Sequence, residues 1–172
     1  MDLSAGSVPV VYIGSFSKII GPGLRLGYMC VPPELAEIKA RGIGNKASGL
    51  ASLIVAEYLR DNLAAHLARH NEVLVEKRDV LLAALEGELG GFALWNRPRG
   101  GLFSWIKLPE AVELKQLEAL AAEHGVVYTP GREFHCRKEN IKYLRLSYTH
   151  MSPDEIREGV SILAECIRHA CD

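Results

Sequence analysis

Nothing in this 172-residue sequence offers a zinc or redox clip. Its four cysteines, Cys30, Cys136, Cys166 and Cys171, form no C-x-x-C pair, so they read as reduced, mostly buried thiols rather than a disulfide frame. His66 and His70 share an i, i+4 spacing but lack the glutamate of H-E-x-x-H, which argues against a metal there. Charge excess is missing as well. With 20 Lys and Arg against 21 Asp and Glu, the net charge of -1 supplies no basic field for nucleic acid or an anionic membrane. Long apolar runs are absent: the stretch from Val8 to Ile13 is interrupted by Pro9 and is too short for a signal peptide or a membrane span. A cytoplasmic location is the expectation that follows. There is no internal repeat and no low-complexity segment, and 48% hydrophobic with 24% charged residues is ordinary for a globular chain.

What is present is concentrated near the start. The β-branched run Val10-Val11-Tyr12-Ile13 leads into Gly14-Ser15-Phe16-Ser17-Lys18, then Gly21-Pro22-Gly23-Leu24-Arg25-Leu26-Gly27. This reads as a strand delivering a lysine into a loop. An amine in aliphatic surroundings, flanked by hydroxyls and a second cation, is a recipe for Schiff-base chemistry, because desolvation and like charge both disfavour an ammonium ion. Lys18 is the candidate nucleophile. Other readings compete with this one. A lysine beside a Gly/Pro turn is most often simply exposed. A P-loop needs Gly immediately before the lysine, whereas Ser17 precedes Lys18 and Ile19 follows it. The S-x-x-K of penicillin-recognising enzymes is matched, but no S-D-N or K-T-G follows.

Along the rest of the chain, Gly27 to Val31 reads as a second strand, and Pro33 or Glu34 opens a short helix through Leu35 and Ile38. Gly42, Gly44, Asn45, Ser48 and Gly49 form a polar connection, so a domain boundary is expected near residue 45. From Leu50 to Leu89 the pattern is helical, with Leu63, Leu67, Leu74, Leu81 and Leu85 on one stripe and a predicted break at Asp61-Asn62. The charges from Arg69 to Asp79 read as a solvated face. Phe92 to Trp95 and Leu102 to Leu108 read as strands whose two Trp and two Phe belong to the core. Leu114 to Ala121 makes a helix that Gly125 ends, Val126 to Thr129 a strand that Pro130-Gly131 turns. Ile141 to Thr149 alternates, with Leu144, Leu146 and Tyr148 on one face and Tyr143, Arg145 and Ser147 on the other. Ser152-Pro153-Asp154-Glu155 carries a capping signature for a last helix with Ile156, Val160, Leu163 and Ile167 on its apolar face.

Ser15-Phe16-Ser17-Lys18 with Pro22-Gly23-Leu24-Arg25-Leu26-Gly27 resembles the cofactor-lysine segment of class I/II (fold type I) pyridoxal-phosphate aminotransferases. The later motifs, Arg97-Pro98-x-Gly100-Gly101-x-Phe103-x-Trp105, Pro130-Gly131-x-x-Phe134 and Tyr143-Leu144-Arg145-Leu146-Ser147-Tyr148, resemble the small domain of the same enzymes. The subgroup of 2-aminoadipate and broad-specificity aminotransferases is the nearest in flavour, and it also supplies half of certain winged-helix transcription regulators. His135 stands where a second aromatic is common in the family. The resemblance implies that pyridoxal 5'-phosphate is bound by Lys18 through an imine and by Ser15, Ser17 and Arg25 through its phosphate, with Arg145 on the substrate α-carboxylate. It implies amino-acid and 2-oxo-acid substrates, a homodimer, and an α/β fold: residues 1–45 as a remnant of the large cofactor-binding domain, and 46–172 as linker helices and an α+β small domain.

Members of that family are more than twice this length. Their N-terminal portion carries the aromatic that stacks on the cofactor ring and the aspartate that protonates its nitrogen, neither of which can be assigned here. The chain therefore reads as a C-terminal fragment, an interrupted reading frame or one piece of a split protein, with residues 1–45 its less stable part. Three functions stay open: an aminotransferase, a ligand-sensing half of a transcription regulator, and an inactive remnant.

Overall fold

The computed structural model describes residues 9–35, 37 and 47–171. Ile38, the cluster at Gly42, Gly44 and Asn45, and the expected boundary near residue 45 lie outside the described residues. The chain divides into two compact units, Met1–His70 and Asn71–Asp172. None of the described helices is long and apolar enough to cross a membrane.

In the first unit, β1 (Tyr12–Ser15) pairs antiparallel with β2 (Gly27–Cys30), Tyr12 opposite Cys30 and Ser15 opposite Gly27. Short 3-10 turns follow at Pro22–Leu24 and Pro33–Leu35. Two strands alone cannot cover their own faces. Ile13 is accordingly 76% exposed, and Tyr12, Tyr28 and Met29 are exposed with it. Helix α1 (Gly49–Leu89, 41 residues) starts in this unit, where the Ser48 hydroxyl accepts from Ala51 N–H at 3.3 Å. Ser48 is thus a helix cap as well as part of a connection.

The break predicted at Asp61-Asn62 does not occur; α1 runs through it unbroken. The Asn62 amide donates to the Tyr58 carbonyl at 2.9 Å, one turn back, so its competing side chain is satisfied inside the helix. An Asp or Asn costs at most about 0.7 kcal/mol in a helix interior, too little to interrupt 41 residues. Burial follows only part of the leucine stripe. Leu81, Leu85 and Leu89 are buried and Leu74 is half-buried, whereas Leu63 is exposed along with Leu50 and Leu53.

The second unit is an antiparallel sheet of order β3-β4-β6-β5: β3 (Leu94–Trp95), β4 (Phe103–Lys107), β5 (Thr129–Pro130) and β6 (Tyr143–Ser147). Helices α2 (Leu114–Glu123) and α3 (Pro153–His169) follow β4 and β6. Ile106, Leu144 and Leu146 face a core shared with Leu85, Leu117 and Leu163. Each such side chain taken from water contributes about 1.5 to 3 kcal/mol. Gly125, at φ 73, ends α2 as expected, because this left-handed position favours glycine.

Three expectations need correction. The strand predicted from Val126 to Thr129 is only Thr129–Pro130, and Val127 is 92% exposed. This is the sheet's edge, and Pro130 has no N–H with which to extend the ladder. Of the four aromatics expected in the core, Phe92 and Phe103 are exposed and Trp105 is only partly buried, while Trp95 packs against the core at its margin. Aliphatic side chains and Tyr148, whose hydroxyl donates to Gly101 carbonyl at 2.7 Å, already fill the interior. The thiols are free, but Cys30 and Cys136 are exposed, for both sit on segments with no covering layer.

Amide hydrogen exchange should separate the units, with β4 and β6 well protected and β1 and β2 exchanging much faster, because exposed pairs open locally. Equal protection in both sheets would contradict the burial described here.

The expected capping box at α3 is formed: Glu155 N–H donates to the Ser152 hydroxyl at 3.3 Å, and Ser152 N–H donates to the Glu155 carboxylate at 2.7 Å. Ser152→Ala should lower unfolding free energy by about 1 kcal/mol, measured by urea denaturation. The Ser152 N–H, then its hydroxyl, hold the Glu155 carboxyl below its usual range. A depressed carboxylate stabilises the fold above the unfolded value of about 4.3 and stops doing so as pH falls through the folded value. The stability gap between the native chain and Glu155→Gln should therefore shrink in acid.

Candidate functional site

The lysine loop is closed by its own backbone. Phe16 N–H donates to Leu26 carbonyl at 3.1 Å, directly beyond the Ser15–Gly27 pair. The Phe16 carbonyl then accepts from Ile19, Ile20 and Gly21 at 3.1, 2.8 and 3.3 Å, wrapping a turn around Lys18. Ser15 Oγ accepts from Ser17 N–H at 3.1 Å. Ser15, Ser17, Lys18 and Arg25 thereby share one small loop.

Arg25 adopts φ 51, ψ 42, a left-handed conformation that costs a non-glycine residue roughly 1 to 2 kcal/mol. Lys18 and Arg25 are exposed. The aliphatic enclosure expected for Lys18 is therefore not supplied by the described residues. Residues 16–26 contain no acidic side chain, and no hydrogen bond or ion pair engages the Lys18 amine or the Arg25 guanidinium among the described residues. An amine, a guanidinium and two hydroxyls uncompensated by carboxylate suit a phosphorylated aldehyde in donor chemistry and in charge.

His66 ties α1 to this loop. Its Nε2–H donates to the Ile19 carbonyl at 2.8 Å, so Nδ1 accepts from the Tyr58 hydroxyl at 3.1 Å. His70 stacks on it, with ring centroids 6.3 Å apart. The i, i+4 pair thus has a local structural task, which no feature of the sequence signalled.

Arg145 belongs to the second unit. In the register Trp105, Arg145 and Thr129 lie in one row across β4, β6 and β5, on the face opposite Leu144 and Leu146. The guanidinium donates to Thr129 Oγ1 at 3.3 Å and lies over two rings, its Cζ 3.9 Å from the centroid of Phe103 and 4.6 Å from that of Phe134. Trp105 meets Phe134 edge-on at 5.3 Å and stacks on Tyr143 at 5.4 Å. Sequence reasoning assigned Phe103 and Trp105 to the core, while placing Tyr143 on the polar face beside Arg145. The alternation of Phe103 and Trp105 could have placed them together, but only the strand pairing puts Arg145 beside them.

Phe134 reaches Arg145 because the 3-10 turn Gly131–Phe134 lies tight against β6. A Cβ on Gly131 would stand 2.8 Å from the Tyr143 carbonyl and from Ile141 Cγ1. Within this turn Arg132 pairs with Glu118, and burial first, then the Glu118 carboxylate, push the Tyr128 phenol up to about 12. A groove of about 320 Å³ lined by Val126, Leu146, Met151 and Ile156 includes neither Arg145 nor the lysine loop. No group of three or more potential metal ligands occurs among the described residues.

A lysine turn on an antiparallel strand pair, a long helix and an α+β unit with an arginine-bearing strand make up the carboxy-terminal part of a fold type I pyridoxal-phosphate-dependent transferase. The model of the family described as aminotransferase class I and II matches residues 2–163, and the chain belongs to that family. It is 32% identical over 163 residues to aromatic-amino-acid aminotransferase 1 of Thermococcus litoralis, covering 92% of this chain and 39% of that protein. The crystal structure of LysN, an alpha-aminoadipate aminotransferase of Thermus thermophilus complexed with N-(5'-phosphopyridoxyl)-L-leucine, superposes with a TM-score of 0.86 at 32% identity, over 94% of this chain and 42% of that one. The HTH-type transcriptional regulator YdfD of Bacillus subtilis is 33% identical over 164 residues, 92% of this chain and 33% of that protein. The chain thus spans about two fifths of the length of the aminotransferases it matches. Family membership implies pyridoxal 5'-phosphate as the cofactor.

Gly131→Ala should destabilise the second unit by about 1 to 3 kcal/mol, the usual cost of overpacking against backbone. Denaturant melts of the native chain and the variant check this; unchanged stability would mean that the turn does not press on β6.

Proposed function

We propose that this chain carries the lysine loop and the substrate-carboxylate arginine of a transaminase that moves an amino group between an amino acid and a 2-oxo acid. The loop between Ser15 and Gly27 supports the reading: one closed loop carries an amine and a conformationally strained arginine, with hydroxyls and without acid. Strain of this kind is retained where a site requires it. Lys18 Nζ is the attachment point for the cofactor and moves the proton at the substrate α-carbon. Ser15, Ser17 and Arg25 hold the phosphate. Pyridoxal phosphate, when bound, supplies an electron sink beside that carbon. Arg145 orients the substrate by its carboxylate, a planar fork matching two oxygens. The complete assembly is a cytoplasmic homodimer in this reading.

The similarity to YdfD supports a second reading, a ligand-sensing domain that binds cofactor without turnover. Amino-group transfer to 2-oxoglutarate by the complete polypeptide separates the two.

Borohydride reduction of the chain mixed with pyridoxal phosphate, followed by peptide mass mapping, should label Lys18. Label spread over surface lysines and unchanged in Lys18→Ala would remove Lys18 from the site.

In a complete enzyme containing this segment, Arg145→Lys keeps the charge but loses the fork. The loss of one charge-assisted hydrogen bond costs about 1.5 to 3 kcal/mol, or roughly ten- to a hundredfold in kcat/KM, while the cofactor spectrum stays unchanged. Intact kinetics, or a lost spectrum, would reassign the two arginines.

A further inference from the structure

We propose that Phe103 and Phe134 are positioning residues for Arg145, holding its guanidinium by the faces so that its N–H edges stay directed toward a carboxylate. The proposal rests on the carboxylate role given to Arg145 above. A guanidinium offers two distinct surfaces: its flat faces stack on aromatic rings, and its rim carries the hydrogen-bond donors. Stacking and carboxylate binding therefore do not compete. Cζ lies over both rings, at 3.9 and 4.6 Å from their centroids, and one N–H is committed to Thr129. The other donors have no acceptor among the described residues, and no carboxylate pairs with Arg145 there.

Core packing does not explain these phenylalanines. Phe103 is 37% exposed and Phe134 48% exposed, yet each lies against a cation. Each is also fixed from outside. Phe103 stands in the β4–β6 ladder opposite Ser147, diagonal to Arg145. Phe134 is delivered by the turn that Gly131 allows against β6, and is braced edge-on by Trp105, itself stacked on Tyr143. A long side chain left to itself would sample many rotamers. Two braced rings restrict it before any ligand arrives.

The test uses the 172-residue chain with isotopically labelled arginine, read by NMR. The Arg145 Nε–H signal should be displaced by ring currents and rotation about Nε–Cζ should be slow; Phe103→Leu and Phe134→Leu should each reduce both effects, and Phe→Tyr at each position should preserve them. Titration with 2-oxoglutarate, which has no ring to stack, should show Kd raised roughly three- to tenfold in each Leu variant. Protection of β4 and β6 amides verifies that the variants are folded. Native Arg145 signals in both Leu variants, or an unchanged Kd in both, would overturn the proposal. Arg145→Lys separates the two levels. If it binds 2-oxoglutarate as the native chain does, the carboxylate reading fails; if it loses binding that both Leu variants keep, only the positioning role fails.

Discussion

The pairing of β6 with β4 is the constraint on which the second unit depends. Because side chains alternate along a strand, the register that sets Arg145 opposite Trp105 also sets Leu144 opposite Ile106 and Leu146 opposite Ser104. A slip of one residue would drive a guanidinium into the aliphatic core and expose two leucines. Burial of Leu144, Leu146 and Tyr148 therefore fixes where Arg145 can stand. The bond from Leu108 N–H to Lys142 carbonyl at 2.8 Å and that from Tyr148 hydroxyl to Gly101 pin the two ends of this pairing.

The first unit works on a different principle. Its loop keeps its shape through short-range hydrogen bonds around Phe16, a local solution that needs little surrounding mass. Its strands are another matter, for both are largely exposed. Apolar side chains such as Ile13 and Leu53 stand in solvent at 76% and 72% exposure. A chain that spans about two fifths of its aminotransferase relatives holds the lysine turn, but the described residues do not enclose it. The chemistry of a Schiff-base amine depends on that enclosure through desolvation. Residue identity at Lys18 and chemical competence of Lys18 are therefore separate properties of this molecule.

Sequence reasoning parted from structure where the deciding partner was distant or absent. Asp61-Asn62 looked like a helix end because both residues compete for backbone, yet continuation of α1 on either side outweighed them. Val126-Val127 looked like a strand from its β-branched residues, but the edge has only Thr129 and Pro130 in its ladder. Phe92 and Phe103 looked like core because phenylalanine is usually buried, yet both are exposed, and Phe103 lies against the Arg145 guanidinium. Where the signal was local, the reading held: the Ser152–Glu155 box, Gly125 at the end of α2, and the alternation of β6.

The motif Ser15-x-Ser17-Lys18 with Arg25 was legible from the chain because its residues are neighbours, and a closed loop of local bonds brings neighbours together without help. Arg145 was legible as a polar-face residue for a similar reason, since period two needs only the strand itself. The sequence could not say what surrounds either residue. The two rings on Arg145 come from segments 42 and 11 positions away, and the His66 bond to the Ile19 carbonyl spans 47. Such contacts are decided by strand register and helix packing, which depend on the burial of many side chains at once, so only the tertiary structure could decide them.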